Sequence, residues 1–93
     1  MSTQGTAPID FGTGKSDASA VVTGQAAYNS ATMLVEAWID PIVTANNTID
    51  NHWVEDFSMP MITNKITGTG FTIVLRCRNG NASGIYNSAW VYN

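Results

Sequence analysis

Apolar and polar residues alternate with a period of two over several stretches of this chain, most clearly in its last third. Over residues 71–77, Phe71, Ile73, Leu75 and Cys77 share one face, and Thr72, Val74 and Arg76 share the other, as the side chains of a β-strand do. Thr67-Gly68-Thr69-Gly70 precedes this run as a turn cluster, and Asn79-Gly80-Asn81 follows it with residues that tolerate positive φ. Residues 85–92 then set Ile85, Asn87, Ala89 and Val91 against Tyr86, Ser88, Trp90 and Tyr92. The pattern predicts two strands joined as a hairpin. Residues 33–39 predict another strand, with Met33, Val35, Ala37 and Ile39 opposite Leu34, Glu36 and Trp38. The Asp40-Pro41 pair ends it, because proline has no N–H to give a ladder.

Weaker signals fill in the rest. Residues 18–23 read as a short strand before Gly24. Residues 51–58 alternate His52, Val54 and Asp56 against Trp53, Glu55 and Phe57, with the aromatic face expected inward. Pro60 bends that run before residues 61–66 resume it. About six short strands, with turn signals roughly every 10 residues, predict an all-β antiparallel sandwich. Helix is expected to be at most one turn, near residues 26–32. Residues 1–15 are small and polar and contain Pro8, so they are expected to form an extended N-terminal arm, with Ile9 and Phe11 as its docking residues. Residues 16–93 then make the sandwich domain, with Phe71, Ile73, Leu75, Val35, Ala37 and Ile39 in its core.

Composition narrows the function classes. A chain of 93 residues is one small domain. Its net charge of −3 and its four basic residues give no patch that would neutralise phosphates, so nucleic acid is not an expected partner. Cys77 is the only cysteine; it excludes an intrachain disulfide and a cysteine-based zinc site, and its strand face predicts a buried thiol. The first residues lack the basic and apolar regions of a signal peptide, and no apolar run reaches the roughly 18 residues of a membrane helix. Synthesis in a cytoplasm, with no membrane partner, is the expectation.

Candidate chemistry is sparse. His52 is the only histidine, which selects no Ser-His-Asp set, and it is expected on an exposed or subunit-facing surface. Glu55 and Asp56 are neighbours on a predicted strand, so they point to opposite faces and cannot pair as acid and base. Asp40, Asp50 and Asp56 could supply oxygens to a calcium ion, against a plainer reading as a solvated edge. The Thr67–Gly70 turn has no following lysine or helix and is no phosphate loop. Neither a cofactor nor an enzymatic activity is expected. The aromatic residues suit either a sugar ring or a subunit interface. A sandwich needs one apolar face per strand, yet residues 33–39 and 85–92 carry two. The surplus residues Leu34, Trp38, Tyr86, Trp90 and Tyr92 are therefore expected at an interface between copies.

Two resemblances attach to these motifs. From Met33 onward, the order MLVEAWI, a polar middle, GTGFTIVLRCR, an asparagine-containing turn and SAWVYN resembles the H-type lectin fold, a six-stranded sandwich that forms trimers. The family's TGF is matched by Thr69-Gly70-Phe71, and its last-strand tryptophan by Trp90. Arg78 and Asn79 stand where that family places an aromatic and a histidine, and Ser58 stands near its arginine. A sugar site at Arg78 and Asn79 is thus what this resemblance offers. Nearly the whole chain, through SDASAVVTGQ, LVEAWI, GTGFTI and AWVYN, also resembles small proteins of tailed bacteriophages. Together they imply a non-enzymatic virion structural protein, made in the host cytoplasm, that decorates or cements the capsid as a homotrimer bound to the major capsid protein. The alternative is a glycan-binding accessory subunit of a tail fibre.

Overall fold

A computed structural model describes residues 2–93. Its strands are β1 (Thr3–Asp10), β2 (Asp17–Val22), β3 (Val35–Ile39), β4 (Met61–Ile66), β5 (Gly70–Arg76) and β6 (Ile85–Tyr92), with a short helix, α1 (Ile49–Val54), between β3 and β4. They form two antiparallel sheets, ordered β1-β6-β3 and β2-β5-β4. Phe71, Ile73 and Leu75 from one sheet and Ile9, Tyr86, Trp90 and Tyr92 from the other are all buried in the core between them. The chain is the all-β antiparallel sandwich that the alternation predicts.

The hairpin is corrected. β5 and β6 are the central strands of different sheets, so residues 77–84 carry the chain across the sandwich. Turn residues report a reversal but cannot say whether the next strand pairs with the last or crosses the roughly 10 Å to the opposite sheet. The crossing is fastened to the one that joins β1 to β2. Phe11 N–H donates to the Gly84 carbonyl (2.9 Å), Gly84 N–H to the Gly12 carbonyl (2.9 Å), and Lys15 and Ala82 exchange both backbone bonds (2.8 and 2.9 Å).

The expected N-terminal arm is also corrected. Residues 3–10 are strand β1, paired with β6 from Thr3↔Tyr92 to Asp10↔Ile85. Ile9 and Phe11 are fully buried, docked in their own core, with Phe11 stacked on Phe57 at 5.7 Å and edge-on to Tyr86 at 5.8 Å. Pro8 and the small residues hid the strand. They fit because β1 is an edge strand and because Gly5 lies beneath Trp90, where a Cβ would strike the indole. Small residues in β1, β2 and β3 (Gly5, Ala7, Ala18, Ala20, Ala37) leave the space between the sheets to the large side chains of β5 and β6.

The helix lies elsewhere than expected. Residues 49–54 are helical, with Thr48 as N-cap accepting from the Asn51 N–H at 3.2 Å and Asp50 in the first turn. The alternation over residues 51–58 misled because so short a run samples both periodicities poorly. Trp53, expected inward, is 77% exposed, while His52, expected outward, is buried. Of the expected core, Phe71, Ile73 and Leu75 are buried, whereas Val35, Ala37 and Ile39 are half-buried.

Candidate functional site

The richest polar cluster lies where the crossing between β5 and β6 meets the segment after α1. Phe57 bridges Cys77, which brings Glu55 in beneath the crossing. Cys77 Sγ is 3.0 Å from Glu55 Oε1 and 2.9 Å from Asn79 Oδ1, two acceptors sharing one S–H. The Asn79 amide donates to Glu55 Oε1 at 3.2 Å, and the Tyr86 hydroxyl reaches Glu55 Oε2 at 3.5 Å. Three donors thus converge on one carboxylate, which explains a charged residue on what reads as an aromatic face. Burial, reinforced by the bond to Glu55, pushes the Cys77 thiol up from its ordinary 9.0. Burial and the Glu55 charge push Tyr86 up from 10.0. Both groups are held protonated. A thiol acts as nucleophile or metal ligand only as thiolate, so the cluster opposes that chemistry and works as a fastening.

His52 stands beside it, 5.0 Å edge-on from Tyr86. Its Nδ1–H donates to the Thr48 carbonyl at 2.8 Å, and its Nε2 accepts the Asn87 N–H at 3.0 Å. A backbone amide can only donate, so the tautomer is fixed and neither nitrogen is left to move a substrate proton. Asn47, also buried, fastens the neighbouring loop by donating to the carbonyls of Ser83 (3.1 Å) and Ile85 (2.9 Å). None of these roles was read from the sequence. The Thr48-x-x-Asn51 cap was the available signal, and the helix it starts is what turns His52 inward.

The proposed sugar pair does not converge. Arg78 points outward to Asp56 at 3.4 Å, with both side chains more than half exposed, whereas Asn79 turns in to Cys77 and Glu55. Ser58 does meet the arginines, lining a shallow depression of about 300 Å³ with Arg76 and Arg78. The calcium candidates are not gathered either. Asp40 accepts from the Asn87 amide at 3.0 Å, Asp50 lies in the first turn of α1, and Asp56 pairs with Arg78. Among the described residues no three metal-ligating side chains come together.

The five interface candidates divide. Tyr86, Trp90 and Tyr92 are 3%, 5% and 2% exposed, so that part of the expectation is corrected: the aromatic face of β6 fills the core, and the small face looks out. Leu34, just before β3, and Trp38, on the outer face of β3, are 74% and 44% exposed. Beside Trp38, a trench of about 310 Å³ runs over Ala89 between the indole, Thr6 and Asp40. Val21 and Met61 on the second sheet, and Trp53, Val54 and Met59 in the connections, are exposed as well. No protein-family model, no curated protein and no solved structure matches this chain.

Proposed function

We propose that this chain is a non-enzymatic structural protein of a tailed-phage virion, a homotrimer that decorates or cements the capsid by binding the major capsid protein. The resemblance to phage proteins supports the setting, and the lectin-like resemblance supplies the number three. The observation that carries self-association is the exposed pair Leu34, just before β3, and Trp38, on its outer face, since large apolar side chains grouped in water mark contact surfaces. The fastened states of His52, Cys77 and Tyr86 support a role without turnover. The net charge of −3 supports a protein rather than a nucleic-acid partner. Among the described residues no helix is long and apolar enough to cross a membrane.

Light scattering tests this reading. The purified protein is expected at a mass that is a multiple of three chains, and the double variant Leu34→Ser/Trp38→Ser should lose that factor of three while remaining folded. A wild-type mass that is not a multiple of three contradicts it. The glycan-binding alternative has its better footing at Trp38, where a half-exposed indole lines a trench together with Thr6 and Asp40, than at Arg78 and Asn79. Glycan-array binding lost in Trp38→Ala would favour it.

A further inference from the structure

The four outer strands differ in how their free edges are finished. In the β3/β6 register, Asp40 N–H donates to the Asn87 carbonyl (3.0 Å) and Asn93 N–H to the Leu34 carbonyl (3.3 Å). Bonded pairs alternate along an antiparallel ladder, so the even-numbered residues of β3 bond β6. The N–H and C=O groups of Val35, Ala37 and Ile39 therefore point away from the sheet, and β3 has no hydrogen-bonded neighbour on that side. Natural edges carry devices against such exposure. β1 has Pro8, which in its register turns a nitrogen without hydrogen to the free edge, and β1 lies against β2. β4 has a bulge between Thr63 and Ile66, with Asn64 at φ 51°. β2 and β3 have neither a proline nor a bulge, and β2 lies against β1 more closely than β3 lies against β4. Beside β3 lies a cleft of about 490 Å³ whose lining mixes the apolar Val35, Ala37, Met59 and Ile62 with the charged Glu36 and Lys65.

We propose that β3 pairs with β3 of a second copy across a twofold axis, joining two three-stranded sheets into one of six. The sequence of β3 selects the register. With Ala37 opposite its counterpart, Val35 meets Ile39 and Glu36 meets Trp38 of the second copy. A slip of two residues in one direction sets Glu36 against Glu36, and in the other Glu36 against Asp40. Like charges directly opposite are destabilising, so of these three registers, which pair the most residues of β3, only the Ala37-centred one leaves the acids apart. The contact also turns the two open clefts toward each other, which covers Met59 and Ile62 of both copies beneath the joined sheet. Self-complementarity of this kind is what a twofold interface requires. It is separate from the threefold contact proposed above, and the two together make a hexamer.

Ala37→Pro tests it, because it removes the central edge N–H and leaves the bonds to β6 in place, as Pro8 does in β1. Val35→Pro, which removes an outer rung of the same ladder, is the second variant should the first fail to fold. Light scattering should find an even number of chains in the wild type and a twofold lower mass in whichever variant keeps its circular dichroism. A wild-type monomer or trimer overturns the proposal and would leave the edge to a strand from another protein, as would an unchanged mass in a folded proline variant. Leu34→Ser alone, outside the paired residues 35–39, should remove a factor of three instead and keep the factor of two, so the two contacts fail separately.

Discussion

β1 and β3 flank the same central strand, β6, and do opposite work there. β1 pairs with β6 over eight residues, sends Ile9 and Phe11 fully into the core, and offers solvent an edge with a donor missing at Pro8. β3 pairs over five residues, keeps Val35, Ala37 and Ile39 only half-buried, and offers an unbroken edge with Trp38 on its outer face and Leu34 just before it. One strand completes the monomer, and the other is the edge we propose for assembly. An apparently poor strand sequence can therefore be indispensable to the fold, while a good one stands partly unused within the single chain.

The largest expected effect separates the two strands directly. Ile9→Ala should cost about 2 to 5 kcal/mol in chemical denaturation, the range for emptying a closed core site. Ile39→Ala should cost only about 1 kcal/mol in the monomer, near the average for a point substitution. Equal losses would erase the distinction. An intermediate effect concerns the fastening that holds the end of β1 through Tyr86. The folded-state values of Cys77 and Tyr86 lie above their ordinary 9.0 and 10.0, so the unfolded chain releases these protons first as pH rises. Stability should therefore be intact below about pH 9 and fall above it. Cys77→Ser keeps a donor toward Glu55 but removes the titrating thiol, so its melting temperature should decline less between neutral pH and pH about 10. A decline equal to that of the wild type would remove Cys77 from the account.

Much of this comparison was visible in the sequence for β3 and little for β1. Alternation over residues 33–39, 71–77 and 85–92 located β3, β5 and β6, because strongly apolar alternating faces have one common solution. It did not say which face of β6 is inner, because that depends on neighbours: Gly5 and Ala37 beside Trp90 are what make room for its indole. β1 was hidden for the same reason, since the small residues that accommodate the aromatics resemble a flexible arm when read alone. Besides the local bonds to Asn79 and Thr48, the fastening around Glu55 and the lock on His52 need contacts 22 to 35 residues apart, beyond any local pattern. Trp38 and Leu34 were legible as surplus because β3 is short and its two faces are both apolar; Tyr86, Trp90 and Tyr92 were counted as surplus because the sheet partners of β6 were unknown.

Hydrogen exchange, followed residue by residue in the assembled protein, tests the division of labour most directly. The amides of Gln4 and Thr6 on β1 and of Val35, Ala37 and Ile39 on β3 all face away from β6. Within a single chain none of them has a strand partner, so all should exchange rapidly, with only the modest extra protection that partial burial gives the β3 amides. If β3 is the assembly edge, its three amides should exchange far more slowly than Gln4 and Thr6, and should lose that protection on dilution to monomer. Equally rapid exchange at both edges, at a concentration where scattering shows assembly, would contradict it.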